Sequence, residues 1–138
     1  PLAPCTRHMV LIYPNAHVAT PTVFKHADLT WCKKRAIISG LGDLQGLRAA
    51  GNDLQPVAQA LAPSITQAVQ ALEATPAVWV RMSGSGSSVF AVYADAATAQ
   101  LAGAQLQSSA PAAWQVWQLA TLAAHPAWAQ LGHRIKLD

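Results

Sequence analysis

"RMSGSGSSVF", Arg81 to Phe90, is the stretch on which the fold turns. Its six middle residues, Ser83 to Ser88, are all Gly or Ser. The flanks, "AVWVRMS" (Ala77–Ser83) and "SSVFAVYA" (Ser87–Ala94), are rich in β-branched and aromatic residues, which favour a pleated, half-buried surface. Two such runs around a short Gly-rich connection read as neighbouring strands. The connection has a second reading as well. Gly84 and Gly86 allow backbone conformations closed to other residues, and successive N–H groups there can form an anion-binding nest, with Ser83, Ser85, Ser87 and Ser88 adding hydroxyl donors. Spacing alone leaves both readings open.

Known phosphate motifs fit the loop poorly. A dinucleotide fingerprint needs a third Gly where Val89 stands and a helix afterwards, whereas a strand follows. A Walker loop needs Gly-Lys-Ser or Gly-Lys-Thr, which is absent, and a nucleophile elbow needs the Gly and Ser alternation in another phase.

Working outward, "HMVLIYP" (His8–Pro14) is a buried strand stopped by Pro14. "TPTVFKHADL" opens with Thr20 as a candidate N-cap and Pro21 in the first turn, so a short helix is expected there. Residues 39–51 hold four glycines and read as loop with one helical turn. In "NDLQPVAQALAP", Asn52 or Asp53 caps a helix whose stripe is Leu54, Val57, Ala58 and Leu61. Pro63 ends that helix and starts the next, lined by Ile65, Ala68, Val69 and Leu72. Asp95 caps a further helix with Ala99, Ala102 and Leu106 on one side, and "WQVWQLA" (Trp114–Ala120) is the last strand. The order β, α, α-α, β, β, α, β predicts an α+β ferredoxin-like sandwich: a four-stranded antiparallel sheet with helices on one face. That architecture hosts many functions and selects none.

Composition sets the outer bounds. The chain's 138 residues suit one domain, and 52% hydrophobic against 11% charged residues argues against disorder. No run of 18 apolar residues occurs, so no membrane partner is expected. The formal charge of +3 is small, and "KKR" at Lys33–Arg35 is the one basic cluster, so no nucleic-acid partner is expected either. Phe90 and Tyr93 are three apart and face opposite ways, unlike the paired aromatics of an RNA-binding sheet. Cys5 and Cys32 give neither a disulfide framework nor zinc spacing, and His17 and His26 lack metal-ligand spacing; no metal site is expected and a cytoplasmic, reducing setting is. The chain begins at Pro1, and its first Met, Met9, lies inside a strand. It therefore reads as a fragment or processed piece of something longer.

Three segments in fixed order, "PNAHVATPTVF" (Pro14–Phe24), "GNDLQPVA" (Gly51–Ala58) and "RMSGSGSSVFAVY" (Arg81–Tyr93), resemble the C-terminal half of the GHMP small-molecule kinases. Within them, the Ala19–Phe24 and Asn52–Ala58 segments are most similar to the branch acting on diphosphocytidyl methylerythritol in non-mevalonate isoprenoid biosynthesis. The resemblance covers residues 1 to about 120. It implies an ATP-dependent, magnesium-requiring transfer of the γ-phosphate to the substrate's 2-hydroxyl. It also implies an N-terminal domain of the same protein as partner, carrying the catalytic Lys and Asp and a nucleotide loop of the form Pro-x-x-x-Gly-Leu-Gly-Gly-Gly-Ser-Ser. None of those is in this sequence, and "SGLGDLQG" at Ser39 diverges after three residues, so no catalytic residue is expected in this chain.

By the same resemblance, Thr20, Pro21 and Phe24 match a cytidine-binding wall, where an aromatic of the missing domain faces Phe24 across the base. Ser83, Gly84, Ser85 and Gly86 match the motif that supports the phosphate loop. Two readings compete with this one: another GHMP kinase's C-terminal domain, and a free-standing ferredoxin-like ligand-binding or dimerisation module.

Overall fold

The computed structural model describes residues 6–26 and 44–122. The expectations for Cys5, Cys32, the Lys33–Arg35 cluster, Gly40, Gly42 and residues 123–138 lie outside them. Four strands and five helices follow one another as β1 (His8–Tyr13), α1 (Thr20–Phe24), α2 (Leu44–Ala49), α3 (Gln55–Leu61), α4 (Pro63–Glu73), β2 (Trp79–Met82), β3 (Val89–Tyr93), α5 (Ala96–Ser109) and β4 (Gln115–Ala120). The strands form one sheet in the order β2-β3-β1-β4, and every neighbouring pair is antiparallel. β2 and β3 form a hairpin, while the returns through α3–α4 and through α5 place β1 and β3 at the centre. This is the split β-α-β arrangement that the element order predicts.

Register fixes the two faces. Val10 lies opposite Ala91 and Gln118, Ile12 opposite Val89 and Val116, and Met82 opposite Val89. One face therefore carries Val10, Ile12, Val89, Ala91, Tyr93 and Met82, all buried, since side chains alternate along a strand. Against it pack α4, through Ile65, Ala68, Val69 and Leu72, and α5, through Ala99, Ala102 and Leu106. Each fully buried side chain of Ile or Leu size stabilises the fold by about 1.5–3 kcal/mol. The other face carries Trp79, edge-on to Phe90 at 5.2 Å, and Arg81, whose guanidinium lies 4.7 Å from the Trp79 ring. Phe90 and Tyr93 do face opposite ways.

Helix boundaries bring three corrections. Ala19, not Thr20, is the N-cap of α1; Thr20 is already inside the helix, and no side chain caps it. Leu54, not Asn52 or Asp53, is the N-cap of α3, again without a side-chain cap. Asn52 instead closes a local turn, its Oδ1 accepting the Leu54 N–H at 3.0 Å. Leu61 is 40% exposed, because α3 ends there and the chain turns at Ala62 into α4. Asp95 caps α5 as expected, its Oδ1 accepting the Thr98 N–H at 2.8 Å.

Candidate functional site

The hairpin loop 83–88 is built from both ends. Ser83 N–H donates to the Ser88 carbonyl at 2.8 Å, and Gly86 N–H donates to the Ser83 carbonyl at 3.0 Å. Closing so tight a turn demands backbone that β-carbons disfavour: Gly84 has φ +55° and Gly86 φ +98°. The two glycines are not equivalent. A Cβ on Gly84 would meet nothing within 4 Å, whereas one on Gly86 would lie 3.0 Å from Met82 Sδ and 3.4 Å from Ile65 Cδ1. Gly86 is where the loop presses on the core, and Gly84 is where it is open.

Three segments hold this loop from outside. Ser87, 6% exposed, donates its hydroxyl to the Ala16 carbonyl at 2.6 Å, tying the loop to the chain that leaves β1. Ser85 Oγ and Thr20 Oγ1 are 2.8 Å apart, across 65 residues of sequence. Asn52 Nδ2 donates to both the Met82 and Gly84 carbonyls at 2.9 Å, and Gln55 Oε1 accepts the Met82 N–H at 2.9 Å. The N–H groups of Gly84 and Ser85 make no hydrogen bond to the described residues.

Of the sequence-predicted residues, the structure brings Thr20 against the loop. Thr20 and Pro21 open α1, whose Val23 is buried and holds the helix down, so that Phe24 stands 48% exposed at its end. Thr20 touches the loop directly through Ser85. What the sequence reading missed is the role of Asn52 and Gln55. The available signal was the pair of carboxamides, three apart, in "NDLQPVA" at the start of α3, but spacing alone says nothing about which distant segment such groups grip.

As chemistry, the site offers hydroxyls, two free N–H donors and an exposed aromatic ring. Among the described residues, no three His, Cys, Asp or Glu side chains gather to hold a metal ion. The described part therefore supplies no carboxylate set for magnesium. Nor is any helix of the described residues long and apolar enough to cross a membrane.

Comparison with known proteins gives a consistent picture. The family described as GHMP kinases C terminal matches over residues 35–112. The 4-diphosphocytidyl-2-C-methyl-D-erythritol kinase of Acidovorax sp. (strain JS42) is 40% identical over 116 residues, covering 84% of this chain and 38% of that protein. The enzyme of the same name from Variovorax paradoxus (strain S110) is 39% identical over 134 residues, covering 86% of this chain and 43% of its own length. The crystal structure of a 4-(cytidine 5'-diphospho)-2C-methyl-D-erythritol kinase superposes with a TM-score of 0.60 at 23% identity, covering 87% of this chain and 44% of that one. That likeness shows the fold. The chain spans about two-fifths of the length of the curated relatives it matches.

Proposed function

This chain belongs to the GHMP kinases, through their C-terminal domain, and we propose that it is the substrate-binding half of a 4-diphosphocytidyl-2-C-methyl-D-erythritol kinase. In this reading ATP and magnesium are held by an N-terminal domain of the same protein, and the γ-phosphate passes to the substrate's 2-hydroxyl. The observation that carries the reading is the Thr20–Ser85 hydroxyl pair. It joins the segment proposed to hold the cytosine ring to the loop proposed to face phosphate, which is the layout a cytidine diphosphate linked to a polyol requires.

Each part has a stated physical task. Phe24, 48% exposed, is the ring assigned to stack on the base, and Pro21 stands three residues before it in the same short helix. Ser85, Thr20 and the unpaired N–H groups of Gly84 and Ser85 offer neutral donors to phosphate oxygens. Phosphoryl transfer also needs charge neutralisation and a group that orients the acceptor hydroxyl, neither of which this loop contains. The chain is a wall and a phosphate support. Its catalytic engine is assigned to the other domain.

The test is phosphorylation of the diphosphocytidyl substrate, followed by phosphorus NMR, with the full-length protein and with this chain alone. Full-length turnover and an inert isolated chain are expected. A full-length protein that phosphorylates homoserine, mevalonate or galactose instead, or nothing at all, overturns the assignment.

A further inference from the structure

We propose that Asn52 is the positioning residue of the phosphate-facing loop, and that it aims the Ser85 N–H at a phosphate oxygen of the bound nucleoside diphosphate. The proposal rests on the substrate reading above, but its argument is one of peptide geometry. In a trans peptide the C=O and the next residue's N–H lie in one plane and point in opposite directions. Asn52 Nδ2 holds the Gly84 carbonyl at 2.9 Å. The Ser85 N–H of that same peptide is thereby turned away from Asn52, and it meets no acceptor among the described residues.

The Met82–Ser83 peptide, next but one before it, obeys the same rule with a visible outcome. Asn52 Nδ2 also holds the Met82 carbonyl at 2.9 Å, and the Ser83 N–H of that peptide reaches the Ser88 carbonyl at 2.8 Å. One carboxamide therefore orients two alternate carbonyl groups, the last of β2 and the second of the loop. The first sends its paired N–H into the hairpin, and the second leaves its paired N–H for a ligand. Gln55 secures the other side of the same strand end by accepting the Met82 N–H. Neither Asn52 nor Gln55 needs to touch substrate.

Asn52→Asp isolates this role. Its carboxylate still accepts the Leu54 N–H, which preserves the local turn, but it sets an anion against two carbonyl oxygens in place of the donor. Asn52→Ser, which also lacks the amide donor, serves if the Asp variant does not fold. The probes are cytidine 5'-diphosphate and cytidine, titrated into the full-length protein by calorimetry, with amide hydrogen exchange at Gly84 and Ser85 in the unliganded state.

We expect the variant to bind the diphosphate about tenfold or more weakly, the loss of one N–H bond to a charged oxygen. Cytidine affinity should stay within about twofold, because stacking on Phe24 is a separate contact. Exchange at Ser85 should change in the absence of any ligand. Equal losses for both probes, or none, overturn the proposal while leaving the substrate reading standing. A wild-type protein that binds neither probe overturns both.

Discussion

Replacing Gly86 by Ala should destabilise the protein well beyond what the same change does at Gly84, although the two residues stand two apart in one loop. At Gly84 the backbone is near the left-handed helical region at φ +55°, and the added methyl meets nothing within 4 Å. The cost is the left-handed penalty of about 1–2 kcal/mol, offset by about 0.4–1 kcal/mol from the stiffer unfolded chain. At Gly86, φ is +98°, outside the left-handed helical well, which carries a strain of about 1–3 kcal/mol. The new Cβ also lies 3.0 Å from Met82 Sδ and 3.4 Å from Ile65 Cδ1. Overpacking of this kind costs about 1–3 kcal/mol, towards the low end here because a thioether can swing aside. After the same offset, Gly86→Ala should lose about 1–5.5 kcal/mol and Gly84→Ala about 0–1.5 kcal/mol. At roughly 3–5 °C per kcal/mol for a domain of this size, the difference is readable in a melting curve. Urea unfolding, with the midpoint and slope fitted separately, gives the free energies. On the proposed function, loss of activity should follow the opposite order relative to stability, since Gly84 is the exposed member of the pair. Equal destabilisation by the two substitutions would refute the division between a packed and an open glycine.

Phe24→Ala in the full-length protein should raise KM for the diphosphocytidyl substrate several-fold or more while leaving KM for ATP nearly unchanged; steady-state kinetics in both substrates decide it, and equal losses would count against the base-stacking wall. Tyr93 is buried, and its hydroxyl lies 2.8 Å from Thr75 Oγ1, whose own proton goes to the Leu72 carbonyl, so Tyr93 must donate. Tyr93→Phe should cost about 1 kcal/mol by urea unfolding. Burial raises the Tyr93 pKa, so this residue's contribution is complete below the ordinary tyrosine range and falls as pH rises through the folded value. The Phe variant should lose that part of the alkaline drop. Asp95 behaves in the opposite sense. The Thr98 N–H bond holds its carboxyl below the ordinary aspartate value, so its contribution is complete above that value and fades as pH falls through the folded one. Acid titration of Asp95→Asn, compared with the parent, should show a shallower loss of stability below about pH 4.

Much of this fold could be read in the sequence because it rests on local periodicity. The strand His8–Tyr13, the stripe Ile65, Ala68, Val69 and Leu72, the Asp95 cap and the Gly-Ser hairpin each declare themselves within a dozen residues. Errors arose where a polar side chain had a choice of partner. Thr20 beside Pro21 resembles a cap, yet its hydroxyl pairs with Ser85, a partner no local window contains. Leu61 continues the α3 stripe on paper, but the helix stops before the stripe can be covered. Asn52 shows the limit most clearly. Its Oδ1 makes the local turn that the sequence suggests, while its Nδ2 grips a strand end and a loop 30 and 32 residues away.

Those long-range bonds show how a Gly-Ser loop can be ready for the ligand proposed for it. Six consecutive Gly and Ser residues in isolation would sample many conformations, and ordering each would cost about 1–2 kcal/mol when ligand bound. Here the ordering has already occurred on folding. Ser87 is fixed to the chain leaving β1, Gly86 rests on Met82 and Ile65, and Asn52 holds Gly84. The anchors come from three separate parts of the chain, two connecting segments and the core itself, so the loop's shape follows from the fold and not from its own composition. Ligand then meets preset donors, and binding energy is not spent on arranging them. The same anchors explain why a wall without catalytic groups must be rigid. In phosphoryl transfer the domain that binds substrate acts by position alone, and a displacement of about 1 Å can cost about 100-fold in rate. A loop held from three sides meets that demand; a free Gly-Ser linker of the same sequence would not.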